Sequence, residues 1–150
     1  MSKNDETSAL PDWVNDHIKR YKEDPDTGHN WDSTSVGGPG VLPVLLLTTM
    51  GRKTGKERTL PLIYGRTDAA YVIIASKGGA PKHPAWFLNL RSQPVCEIQV
   101  AHDHFNVRAR VAKGTERQGL WEKLAKIYPP YDDYQGATSR QIPVVVLEVI

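Results

Sequence analysis

The sequence predicts an α+β protein whose short strands curl toward a closed barrel. Three observations carry that expectation. From residue 41 onward, six short β-like runs are separated by hairpin-sized turn signals. Stretches 10–21, 84–91 and 115–128 carry helical signals instead. Pro43, Pro61 and Pro143 fall within or at the ends of strands, where proline marks edges and barrel corners. A short twisted sheet that closes on itself also removes exposed strand edges.

Residues 1–9 are polar and predict disorder. Leu10, Trp13, Val14, His17, Ile18 and Tyr21 then recur with the spacing of one apolar helical stripe. Residues 24–40, with Pro25, Gly28, Gly37, Gly38, Pro39 and Gly40, read as a connector. The N-terminal unit is therefore 1–40, a helix and linker, and the barrel domain is 41–150. Strands are expected at 41–49, 59–66 and 71–76. A helix follows from about Pro84 to Arg91, with Pro at its first position and Pro94 limiting its extension. Residues 95–101 and 105–112 alternate around Ala-His-Asp-His as a hairpin. Thr115 with Gln118 reads as a capping box for a helix to Tyr128, with Leu120, Trp121, Leu124 and Ile127 as its buried stripe. Pro129-Pro130 ends that helix, 131–141 reads as a mobile cover, and 142–150 is the last strand.

The chain of 150 residues is long enough to bury one core without staples. Its formal net charge of +2 is too small for a nucleic-acid binder, and no apolar run reaches the roughly 20 residues that cross a bilayer. A single cysteine, Cys96, excludes an internal disulfide and suits a reducing cytoplasm. The expectation is a cytoplasmic protein. A peripheral membrane contact through the N-terminal stripe is a second reading of that helix.

Positive charge is local. Arg52, Lys53, Lys56 and Arg58 surround one Glu57 in a turn that also holds Gly51, Thr54 and Gly55. Glycine lets backbone approach an anion, and N–H groups, a hydroxyl and cations supply donors and charge. A second glycine-rich loop, Ala75-Ser76-Lys77-Gly78-Gly79, follows one hairpin later. Together the loops point to a flat, phosphorylated cofactor; the rival reading of each is a solvated turn. His102 and His104 offer two ligands where a metal needs three or four, so a hairpin turn explains them better. His83 reads as a helix-entry residue. Tyr128, Tyr131 and Tyr134 share a face if helical, as a packing cluster or as part of a site.

In order along the chain stand Thr48-Thr49-Met50-Gly51-Arg52-Lys53-Thr54-Gly55, Arg58 with Pro61, the Ala75–Gly79 loop, Pro84-x-Trp86-Phe87-Leu88-Asn89-Leu90 and Tyr128-Pro-Pro-Tyr131-x-x-Tyr134. This series closely resembles the deazaflavin-dependent nitroreductase family, from about Val41 to Ile150. The resemblance implies a split β-barrel related to FMN-binding oxidases. It implies coenzyme F420 (8-hydroxy-5-deazaflavin) as hydride carrier, with a quinone, nitroaromatic or other electron-poor acceptor. It also implies that Arg52, Lys53, Thr54 and Arg58 hold the phosphate and acidic tail, flanked by Thr49, Met50 and Pro61. Ala75, Ser76, Lys77 and Gly78 would follow the cofactor, and Trp86 and Asn89 would face it. Tyr131 would close on the ring system, with Tyr128 and Tyr134 beside the acceptor; these tyrosines and Ser76 form the implied catalytic set. Ile63 stands where some relatives carry an aromatic residue. Since the deazaflavin carries the redox chemistry, no nucleophile–base pair is needed. The rivals are an FMN-dependent oxidoreductase on the same barrel and a non-enzymatic F420 carrier.

Overall fold

A computed structural model describes residues 10–150; the expectation of disorder at 1–9 lies outside the described residues. Helix α1 (Asp12–Glu23) and the single turn α2 (Pro25–Gly28) precede β1 (Asn30–Asp32) and β2 (Val41–Met50). Strands β3 (Glu57–Ile63), β4 (Gly65–Arg66) and β5 (Ala70–Ile74) lead to α3 (Ala85–Ser92). Then come β6 (Val95–Val100), β7 (Asp103–Val111), α4 (Gly114–Ile127), α5 (Pro130–Gly136) and β8 (Val144–Val149).

All recorded pairings are antiparallel, in the order β1-β2-β6-β7-β8-β5-β4, with β3 on β2. The sheet curls into a half-barrel with flanking helices. Strand β3 ladders with β2 from Val44↔Ile63 to Met50↔Glu57, and among the described residues it has no ladder to β5. That seam splits the barrel.

Alternation along the strands sends successive side chains to opposite faces. Leu45, Leu47, Ile73, Val145 and Leu147 point into the barrel, where α3 closes the core with Trp86, Phe87 and Leu90. From the same strands, Val72, Ile74, Val144 and Val146 point outward and are covered by Trp121, Leu124, Tyr128 and Tyr131 of the C-terminal helices. Val44 and Leu46 of β2 meet Tyr21 of α1. Two-sided burial explains why these strands are nearly continuous apolar runs.

Several local expectations change. The stretch 24–40 carries α2, β1 and a 3-10 turn at Thr34–Val36, so it is structured along most of its length. A Cβ on Gly28 would lie 2.2 Å from the Tyr21 Cα, so glycine is what brings α2 against α1. Tyr21 is fully buried; its hydroxyl donates to Val44 O at 2.8 Å and accepts from Ala101 N–H at 2.9 Å. The expected strand 59–66 is broken at Tyr64, where Gly65 admits the Leu124 side chain of α4. No capping box forms: α4 opens at Gly114 with no side-chain cap, and Gln118 instead donates to Glu122 one turn on, at 2.8 Å. Pro84 flanks α3 rather than opening it. The expected cover at 131–141 holds α5, begun by Pro130 at a first-turn position where its missing N–H costs nothing.

Candidate active site

A cavity of about 490 Å³ opens between α1, β3, the 76–78 loop, the start of α3 and the tyrosines. Its size falls within the range of sites that enclose small organic ligands, roughly 300–1,000 Å³. Leu60 to Ile63 form one wall, and Trp13, Val14 and His17 with Trp31 form another. Facing these are Ser76, Lys77 and Gly78, then Pro84 to Trp86, while Tyr128, Tyr131 and Tyr134 close one end.

The polar wall has unusual backbone. Lys77, Gly78 and Gly79 have φ of 46, 62 and 82°, three left-handed residues in a row. For lysine that conformation costs on the order of 1–3 kcal/mol and persists only where the surroundings hold it. Open space lies where a Cβ of Gly78 would be, so a ligand can reach this backbone. A Cβ on Gly79 would instead lie 2.7 Å from Tyr134 O, which shows how closely the loop packs on α5. Arg140 reaches into the same loop: Nη2 donates to Ser76 O (2.7 Å), Nη1 to Ala75 O (3.2 Å) and Nε to Ala80 O (2.8 Å). His83 Nδ1 lies 3.0 Å from Arg140 Nη1 and acts as acceptor, which puts the ring proton of the neutral form on Nε2. Burial, then Arg140 and Arg91, lowers the His83 pKa.

At the closed end, Tyr128 and Tyr134 hydroxyls share a 2.8 Å hydrogen bond. The Tyr131 ring sits edge-on to Tyr128 at 4.9 Å and is 5 % exposed. Burial, followed by the neighbouring tyrosines, raises the pKa of Tyr131; burial and the Tyr134 bond do the same for Tyr128. Both therefore stay protonated donors at neutral pH. The Tyr131 hydroxyl makes no recorded hydrogen bond among the described residues, and its side chain lines the cavity.

The basic turn lies off the cavity, beyond the far end of its β3 wall. Arg58 is three residues along β3 from Pro61, about 10 Å of strand. Gly51 and Lys56 bond across the turn, and Gly55 takes a left-handed φ of 71° with its outer side open. Asn89 is buried behind the turn rather than on the cavity. Its Oδ1 accepts from Arg52 N–H (3.1 Å) and Nη1 (3.2 Å), while Nδ2 donates to Thr49 Oγ1 (3.1 Å). Arg58 Nε is buried without a hydrogen-bond partner among the described residues, so the fold leaves donor capacity on this guanidinium uncommitted.

The cavity thus gathers Pro61, Ser76, Lys77, Gly78, Trp86, Tyr128, Tyr131 and Tyr134. Thr49, Met50, Arg52, Lys53, Thr54 and Arg58 form a second cluster at the turn, and Ala75 and Asn89 stand behind the walls. Sequence reasoning did not assign Trp13, Val14, His17 or Trp31 to the site, although the amphipathic stripe marked the first three as facing something. Arg140 gave no signal at all. The residues present suit a long, flat anion: an apolar slot, an open left-handed backbone beside it, and cations farther along one wall. His102 and His104 face different carboxylates, Asp26 (2.7 Å) and Glu97 (3.3 Å), on the surface.

Comparison with known proteins shows what the chain is similar to. Residues 14–149 match the model of the F420H(2)-dependent quinone reductase family. An F420H(2)-dependent quinone reductase of Mycobacterium tuberculosis is 44% identical over 112 residues, 73% of this chain and 75% of that protein. A solved F420-H2 dependent reductase is 40% identical, with a TM-score of 0.66, over 71% of this chain and 94% of its own. A second solved chain, described as a domain-swapped dimer, is 36% identical with a TM-score of 0.68, over 91% and 98%.

Proposed function

This chain belongs to the F420H(2)-dependent quinone reductase family, and from that premise we propose that its cavity holds the deazaflavin ring and the acceptor together. It is an oxidoreductase whose cofactor is coenzyme F420. When bound, that cofactor supplies the hydride; the protein binds, orients and keeps water out. Arg52, Lys53, Thr54 and Arg58 hold the phosphate and acidic tail, while Ser76, Lys77 and Gly78 line the ring with backbone donors and a cation. Trp86 packs on the same side. Reducing a quinone takes one proton besides the hydride, and Tyr128, Tyr131 and Tyr134 offer protonated hydroxyls where the oxygen gains charge. The α1 stripe turns Val14, His17 and Tyr21 inward, which favours a cavity wall over a membrane contact as its role.

One observation carries this reading. The open left-handed loop and the tyrosines, packed side by side, line a single cavity whose β3 wall runs on to the cations. Titrating the apoprotein with F420 and with FMN, at low and high salt, tests it. F420 should bind much more tightly than FMN, and salt should weaken it, since exposed charges are screened over about 8 Å at physiological ionic strength. Equal affinity for FMN with indifference to salt would mean an FMN enzyme on the same barrel. Tight F420 binding without quinone reduction would mean a carrier.

A further inference from the structure

We infer that Arg140 is a positioning residue for the cofactor: its guanidinium holds the 75–80 loop in the left-handed form that presents Ser76, Lys77 and Gly78 to the cavity. The inference rests on the reading of that cavity as the deazaflavin site. Arg140 itself lines no part of the cavity. It lies between α5 and β8, remote in sequence from the loop, with |i−j| of 60 to 65 to the carbonyls it binds.

The geometry is that of a planar fork spanning both ends of one loop. Ala75 and Ser76 carbonyls mark the entry and the Ala80 carbonyl marks the exit, and all three accept from the one guanidinium. Between them run the three left-handed residues. The loop has short internal bonds, Gly79 N–H to Ser76 O and Ala80 N–H to Lys77 O, but these leave its two ends without a mutual tie. Arg140 supplies that tie. His83 Nδ1 accepts from the same fork, and its ring packs on Phe87 with centroids 4.8 Å apart, which orients the guanidinium from the α3 side. Because Gly79 also rests on the Tyr134 backbone, the fork sets the spacing between the loop and the tyrosines. Lysine keeps the charge but has no rigid fork with which to bind three divergent carbonyls.

Arg140→Lys and Arg140→Ala separate this role from general stability. Deazaflavin affinity should fall about tenfold or more in both, the loss of one to two charge-assisted hydrogen bonds' worth of preorganisation. Amide exchange of residues 76–80 should quicken in the apoprotein, while exchange in β5 and β8 stays as in the wild type. Turnover at saturating cofactor should change much less than cofactor affinity. Added methylguanidinium should restore affinity to Arg140→Ala and leave Arg140→Lys unchanged. Wild-type affinity and loop exchange in Arg140→Lys would overturn the role, as would a loss of turnover with cofactor affinity intact. Failure of both variants to fold would overturn it too, since Arg140 would then serve the whole fold. A wild-type protein that does not bind F420 would instead sink the functional reading underneath.

Discussion

Among single residues, the tyrosines carry the sharpest consequence. Tyr131 lines the cavity, and Tyr128 and Tyr134 share one hydrogen bond beside it, so a donor that loses its proton has a neighbour to share the charge. Replacing Tyr131 and Tyr134 by Phe removes the hydroxyls and keeps the rings. Stopped-flow oxidation of prebound reduced cofactor by a soluble quinone should slow by on the order of a hundredfold or more, the contribution of a positioned donor being about 10²–10⁴. Deazaflavin affinity should change far less. A double variant that is folded and reacts at the wild-type rate over the whole quinone range would reduce the tyrosines to packing. Their i, i+3, i+6 spacing marks the cluster in the sequence, but only Tyr131 and Tyr134 share a helix, α5; Tyr128 is the non-helical C-cap of α4 and joins them where the chain turns at Pro129. Arg140 was illegible. It is one arginine in a polar stretch, and its partners are set by a long-range approach that no local pattern records. The resemblance implies that Asn89 faces the cofactor, and in the structure its amide bonds Thr49 and Arg52 of the basic turn; helix spacing fixes which face a residue occupies, not what stands opposite it.

Among elements, α1 and α2 change the picture most. The stretch after α1 looked like a connector because glycine and proline usually punctuate loops. Gly28 serves contact instead, and the His17 Nε2–H donates to its carbonyl at 2.8 Å. Gly28→Ala drives a methyl into the Tyr21 backbone, so α2 must move from α1. The expected cost is about 1–3 kcal/mol, which lowers Tm by several degrees in a chain of this length. Acceptor KM should rise as the Trp13–His17 wall shifts, with cofactor affinity nearly unchanged. Melting curves and acceptor saturation measured together check both parts; unchanged Tm would mean that α1 and α2 separate at little cost. Strand positions from 41 onward were legible because turn residues and apolar runs alternate at strand length. The three-residue β1 was not, and β4 ran together with β3 in the expected strand 59–66, since pieces that short are defined only by their partners.

For the whole molecule, pH exposes how burial sets stability. Burial, with Arg20 adding to it, lowers the His17 pKa against the opposing pull of its bond to Gly28, and His83 is lowered as well. A histidine whose folded pKa lies below its unfolded value of about 6.5 binds fewer protons folded than unfolded. Its contribution is therefore intact above pH 6.5 and is lost as pH falls below that. His102 is raised by its hydrogen bond to Asp26 and works in the other direction, but the pair is exposed and moderate salt screens it. Tm measured at moderate salt should be level above about pH 6.5 and decline below it, and His17→Gln should flatten the decline. A Tm that rises on acidification through that range would contradict this. Tyr21 has a further consequence, for the order in which the chain is made. Its hydroxyl joins Val44 to Gln99 and Ala101, with |i−j| of 78 and 80 to the latter two. At translation speeds of 5–20 residues per second, those later partners leave the ribosome about 4 to 16 s after the tyrosine does. In that interval α1 already meets α2 and β3, but the Tyr21 hydroxyl lacks two of the three backbone partners it has in the fold.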